Sequence, residues 1–152
     1  MKDLIKNYEE LLESESYNNY IKENPNAFLF ACFLANGEWQ FDFYLNGKVI
    51  VFKNEKPVMK DEILNPSEET KELDLNKVKI KVEKAIEIAR EELRLHKDET
   101  DKRIVLLQNI KNKATWNITL LTKQMNMLNV KVDAETGKIN GESFQSIFKM
   151  KK

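Results

Sequence analysis

The fold is decided by residues 28–52, FLFACFLANGEWQFDFYLNGKVIVF. Asn36-Gly37 and Asn46-Gly47 are dipeptides that tolerate positive φ at both central positions of a type I′ turn, and each lies between apolar or alternating runs. The stretch therefore predicts three antiparallel strands joined by two tight hairpins. With two-residue loops, Ala35 pairs with Glu38 and Leu45 with Lys48. Counting outward sets Leu34 opposite Trp39, Cys32 opposite Phe41 and Phe30 opposite Phe43. One face then carries Phe28, Phe30, Cys32, Leu34, Trp39, Phe41, Phe43, Leu45, Ile50 and Phe52, an aromatic surface that requires a helical cover.

Upstream, Leu4, Ile5, Tyr8, Leu11 and Leu12 share a stripe, so one amphipathic helix is expected from Lys2 to about Ile21, ended by Asn24-Pro25-Asn26. Downstream, the polar stretch Lys53 to Glu72 reads as a connector, long enough to hold a short extra element. Leu73 to Ile80 is expected to be extended. Val82, Ala85, Ile86, Ala89 and Leu93 then recur at helical spacing between about Lys81 and His96. Arg103 to Ile110, Trp116 to Thr122 and Leu128 to Asp133 are strand candidates, and a short fourth strand begins at Lys138.

The two halves repeat one order of elements: helix, apolar strand, a strand opening on Trp39 or Trp116, and a Val-rich strand. The expected class is α+β, with two helix-plus-antiparallel-sheet (αβββ) units in tandem. The boundaries fall at 1–56, a connector at 57–72, and 73–152.

Among the 152 residues, 25 basic and 25 acidic side chains cancel, so no net field recruits nucleic acid or an anionic membrane. The single Cys32 and single His96 cannot build a disulfide, a Cys-x-x-Cys redox pair or a Cys–His metal site. No apolar run is long enough to span a membrane. The start, Met1-Lys2-Asp3-Leu4, lacks the apolar core of a signal peptide, which points to the cytoplasm. No phosphate loop, nucleophile elbow or H-E-x-x-H motif occurs. His96 at a helix C-terminus reads as a surface cation, and Cys32 on the aromatic face reads as an inert core thiol. Asp133 and Glu135 are too few and wrongly spaced for a calcium loop. These residues predict no catalytic group, no cofactor and no metal.

Lys84-Ala85-Ile86-Glu87-Ile88-Ala89-Arg90, Trp116-Asn117-Ile118 and Val130-Lys131-Val132-Asp133-Ala134-Glu135-Thr136-Gly137-Lys138-Ile139 together resemble a PepSY domain over roughly Val78 to Asn140. The last segment is similar to the closing hairpin of that family. A weaker copy in residues 2–56 would make the protein a tandem. The resemblance implies a cystatin-like fold and a noncatalytic module that binds a protein or peptide, in some relatives restraining a peptidase. Local chemistry gives the hairpin a structural role, in which Asp133 accepts from turn N–H groups and Gly137 supplies the left-handed residue of a bulged turn. The alternative is a small-molecule or catalytic pocket between helix and sheet.

The expected partner surface is the reverse face of the meander, with Leu29, Ala31, Phe33, Val49 and Val51 beside Tyr44, together with Met125 and Met127 at a hairpin tip. That face calls for a cover from the connector, a second copy of the chain as a homodimer, or a functional partner.

Overall fold

A computed structural model describes residues 3–54, 56–63 and 71–150. The rest of the expected connector (55 and 64–70) and the tail residues Lys151 and Lys152 lie outside the described residues. The chain divides into two compact units: residues 1–75 with 108–112, and residues 76–107 with 113–152. Each packs helix on antiparallel sheet, so the architecture is α+β.

The first unit opens with α1 (Leu4–Glu13) and α2 (Glu15–Glu23). The sequence pattern predicts one continuous helix here, and Ser14 interrupts it. Its backbone is extended (φ −72°, ψ 147°), and its hydroxyl both donates to the Leu11 carbonyl at 2.7 Å and accepts from Tyr17 N–H at 3.2 Å. A serine that satisfies the end of one helix and the start of the next replaces the hydrogen bonds lost at the break.

Four strands follow: β1 (Phe28–Ala35), β2 (Glu38–Leu45), β3 (Lys48–Lys53) and β4 (Lys56–Ile63), lying in the order β4-β3-β2-β1. The two Asn-Gly turns adopt the expected positive φ, 52° and 77° at Asn36-Gly37 and 50° and 84° at Asn46-Gly47. Ala35 faces Glu38, Cys32 faces Phe41 and Leu45 faces Lys48, as the turn geometry predicts. The register then slips by one residue between Leu29 and Ala31, so Phe43 pairs with Leu29 and not with Phe30. This bulge turns Leu29 onto the helix side and brings Phe28 and Phe30 to Tyr44, with ring centroids 5.7 and 5.9 Å away. Strand β4 lies within the stretch read as a connector, with Val51 opposite Val58 and Phe52 opposite Pro57. Its proline and lysines suit the edge position it takes in this unit.

The helices cover the aromatic face as expected. Tyr8 lies 5.4 Å from Phe41, Tyr17 is 5.5 Å from Phe43, and Tyr20 is 5.6 Å from Phe52. Cys32 is fully enclosed beneath them, and burial, followed by the Asp42 charge, pushes its thiol well above the ordinary range. Both effects remove the thiolate on which reactivity depends.

A 3₁₀ turn at Leu75–Lys77, where the sequence predicts extended chain, spans the boundary at which the second unit begins. Helix α3 (Val82–Leu95) packs Val82, Ala85, Ile86, Ala89 and Leu93 against the sheet. The strands β5 (Thr100–Ile110), β6 (Lys113–Thr122), β7 (Asn126–Asp133) and β8 (Ile139–Ser146) run in the order β5-β6-β7-β8. The last residues of β5, from Gln108, group with the first unit. A second 3₁₀ turn, Ile147–Met150, follows β8. Trp116, Ile118 and Leu120 face Val132, Val130 and Leu128, and all six are at most 1% exposed. Both tryptophans are therefore core: Trp39 is 2% exposed, and Trp116 donates its indole N–H to the Ile80 carbonyl at 2.9 Å.

The closing hairpin is built as its sequence predicts. Asp133 Oδ1 accepts from Glu135 N–H at 2.8 Å and Thr136 N–H at 3.2 Å, while Gly137 N–H donates to the Asp133 carbonyl at 2.8 Å. Burial of Asp133 opposes its ionisation, but these donors and the Lys113 ammonium outweigh it and hold the carboxyl below its ordinary range. Gly137 has φ +81°, and a Cβ there would meet only Ile80 at 3.5 Å, an ordinary contact. The penalty of a side chain is thus backbone strain. Gly137→Ala is expected to cost about 1 kcal/mol or more in urea unfolding, and unchanged stability would reject the left-handed turn.

Candidate functional site at the C-terminal end of helix α3

The expected partner surface divides between the units. In the first, Leu29, Ala31, Tyr44, Val49 and Val51 are buried and Phe33 is half-buried. Leu29 leaves the set geometrically because of the β1 bulge. In the second, Met127 is half-buried and Met125, at φ 64°, is 45% exposed. The structure thus brings Met125 to solvent and encloses most of the meander residues.

Met125 belongs to a larger assembly. Its carbonyl accepts from Ile147 N–H at 2.9 Å, which ties the β6–β7 tip to the final 3₁₀ turn. Gln124 Nε2 donates to the Lys97 carbonyl at 3.2 Å and Lys123 N–H donates to the Glu99 carbonyl at 3.0 Å, which tie the same tip to the end of α3. Three elements therefore meet at one end of the second unit. Leu95 (75% exposed), Met125 and Phe148 (66% exposed) stand out into solvent from them.

Asp98 holds this end together. Only 7% exposed, its carboxylate accepts from Glu99 N–H at 2.8 Å and from Asn126 Nδ2 at 3.0 Å, with further bonds from Thr122 and Gln124. Desolvation raises its pKa, but the four donors outweigh that effect and lower it overall.

The two flanks of α3 differ in chemistry. On the flank facing β8, the His96 ring stacks on Phe144 with centroids 3.8 Å apart and planes 14° from parallel, and its Nε2 lies 3.9 Å from Glu142 Oε1. Burial, and then the nearby Glu142 charge, raise the pKa of Glu92 on the same flank. His96 is therefore a packed residue as well as a surface one. On the opposite flank, Arg90, Arg94 and Lys97 follow at i, i+4 and i+7 along an open depression of about 490 Å³, lined also by Leu93, Asp98, Glu99 and Thr100. Sequence reasoning passes over this basic stripe and Asp98. The i, i+4, i+7 spacing is the available signal, but alternating Glu residues make the helix look like an ordinary solvated face.

The class that this geometry defines is a cystatin-like α+β protein. Residues 79–141 match the model of the PepSY family, described as Peptidase propeptide and YPEB domain. That span agrees with the resemblance read from the helix and the closing hairpin. Domains of this family are generally noncatalytic and act as peptidase-propeptide-like regulatory or binding modules. A solved structure from Clostridium difficile 630, a "putative lipoprotein", shares the fold with a TM-score of 0.56 and 16% identity, covering 86% of this chain and 91% of its own. No curated protein matches the chain.

The neighbour overturns the cytoplasmic expectation. A fold shared over most of both chains occurs in a protein described as a lipoprotein, whereas the cytoplasmic reading rests on a few N-terminal residues. Among the described residues no helix is long and apolar enough to cross a membrane.

Proposed function

We propose that this protein is a noncatalytic protein- or peptide-binding module, regulatory in the manner of a propeptide that restrains a peptidase, and that it works outside the cytoplasm or anchored at a membrane surface. The observation that carries the reading is the open edge of β8 within the PepSY-matching unit. Among the described strands, β8 has β7 as its one neighbour, and its residues Ile139, Asn140, Glu142, Ser143 and Gln145 are exposed. An unprotected edge offers backbone donors and acceptors that an extended peptide can extend as a further strand. Proline and lysine, the usual guards of such edges, are absent from Ile139–Ser146.

The alternative, a pocket between helix and sheet, finds less support. Ala85, Ile86, Ala89 and Leu93 of α3, and Trp116, Ile118, Leu128 and Val130 of the sheet, are each at most 3% exposed, and their side chains fill the space a ligand would take.

Selection of random twelve-residue peptides on the immobilised protein tests the reading, followed by hydrogen exchange of the complex. Enriched peptides are expected to share a motif and to protect alternate amides of residues 139–146. A failure to enrich any sequence, or binding that leaves the β8 amides unchanged, would reject edge capture.

A further inference from the structure

We propose that the depression beside α3 is a subsite for an acidic peptide segment, its carboxylates held by Arg90, Arg94 and Lys97. This deepens the binding-module reading, on which it rests, by naming the chemistry of the partner.

The charges around the depression are unevenly committed. Both carboxylates that line it are drawn elsewhere: Glu99 reaches Lys123 at 3.0 Å, and Asp98 is turned into its own set of backbone and side-chain donors. Among the described residues, the ion pair of Arg94 is a long, solvent-exposed contact with Glu87, at 3.4 Å. Among the described residues, Arg90 and Lys97 make no ion pair. Even with the charge of Asp98, whose donors are all neutral, set against Arg90, Arg94 and Lys97, positive charge is left over locally in a chain whose formal net charge is zero. This follows from the arrangement of the side chains and not from composition.

The spacing favours a chain over a surface. Within α3, Arg90 and Arg94 are separated by roughly 6 Å of rise, Lys97 stands just past the helix end at φ 53°, and side chains on one side of an extended peptide recur about every 7 Å. Flexible arginine and lysine arms can follow two or three such carboxylates, and a guanidinium can take a carboxylate with two parallel bonds. An anionic membrane is a broad sheet of charge and would bring the neighbouring Glu83, Glu87 and Glu91 of the same helix against it. A narrow segment running from Arg90 toward Lys97 leaves Glu83 beyond its end and has Glu87, 3.4 Å from Arg94, at its border. Exposed Leu95, Met125 and Phe148 stand at the same end of the unit, so apolar residues next to the acidic ones would find contacts there.

Fluorescence anisotropy with labelled octaglutamate, octaglutamine and octalysine, at low salt, is the test. The full chain is expected to bind octaglutamate at least tenfold more tightly than octaglutamine, with affinity falling as salt rises. Replacing Arg90, Arg94 and Lys97 together by Ala should remove that preference. All three side chains are exposed, and Ala is a strong helix former at the two positions within α3, Arg90 and Arg94, so the fold should persist, which circular dichroism checks. Replacing the same three by Glu should transfer the preference to octalysine. Equal binding of octaglutamate and octaglutamine, an unchanged preference in the triple-Ala variant, or binding only to phosphatidylglycerol vesicles would each overturn the proposal. The peptide selection separates the two ideas: enriched peptides that are neutral or basic would sink the acidic subsite and leave the binding module standing, whereas no enrichment would remove both.

Discussion

Trp116→Ala is expected to destabilise the protein by about 3–5 kcal/mol, the range for deleting a large buried aromatic whose site cannot collapse. Trp116 is 1% exposed and sits opposite Val132 in the centre of the second unit. Its removal leaves a void against neighbours that are themselves almost fully enclosed, and it orphans the Ile80 carbonyl that accepts the indole N–H at 2.9 Å. That bond joins the sheet to Ile80, two residues before α3, whose N-cap Lys81 provides no side-chain hydrogen bond. Trp116→Phe separates the two contributions. It keeps most of the ring burial and loses the donor, so a smaller cost of about 1–2 kcal/mol is expected. Urea unfolding followed by far-ultraviolet circular dichroism measures both. Equal costs for the two variants would mean that packing at this site contributes little, contrary to what the burial of the ring implies.

Most of the architecture can be read from local signals because those signals have local causes. Asn36-Gly37 and Asn46-Gly47 demand positive φ, and the hairpin register follows from two-residue loops. The α3 stripe and the Val130–Val132 alternation state their buried faces directly. What cannot be read depends on partners distant in sequence or on a choice between similar local options. Ser14 is one polar residue in an otherwise regular amphipathic pattern, and nothing in that pattern says its hydroxyl will close one helix and open another. The Leu29 bulge is hidden because Phe28, Leu29, Phe30 and Ala31 are all apolar, so a one-residue slip leaves the hydrophobic pattern intact. The lysine-rich, proline-containing β4 resembles a loop by composition, although those are the residues an edge strand tolerates.

The candidate site is the least legible part for the same reason. Arg90, Arg94 and Lys97 are interspersed with Glu87, Glu91 and Glu92, which looks balanced along the sequence. The imbalance appears only when Glu99 is seen to be held by Lys123 and Glu92 to lie on the other flank beside Glu142. His96 reads from sequence as a residue at a helix end, which it is, yet its stacking on Phe144 joins positions 48 apart in sequence. Met125 stands out in the sequence as an apolar loop residue and is exposed, whereas the meander residues grouped with it are mostly enclosed.

Replacing Asp98 by Ala is expected to cost about 3 kcal/mol at neutral pH, because hydrogen bonds to a buried ionised group are the stronger kind and their donors would be left without an acceptor. The Glu99 N–H, the Asn126 amide and the Thr122 hydroxyl all converge on this carboxylate. The end of α3, the β6–β7 tip and the final 3₁₀ turn are tied together around it, so the loss should loosen the candidate site as well as the unit. The pH dependence carries a definite sign. The folded-state pKa lies below the ordinary value of 3.8, so the native protein binds this proton less readily than the unfolded chain does. The associated stability is fully present above that value and is lost as pH falls through the lower, folded-state pKa. Asp133 acts in the same direction and Glu92, whose pKa is raised, acts in the opposite one. A comparison of wild type with Asp98→Asn isolates the single group: the wild type's advantage in urea midpoint should be largest near neutral pH and shrink below about 3.8. An advantage that stays constant across that range would show that the Asp98 charge is not what holds the end of α3 in place.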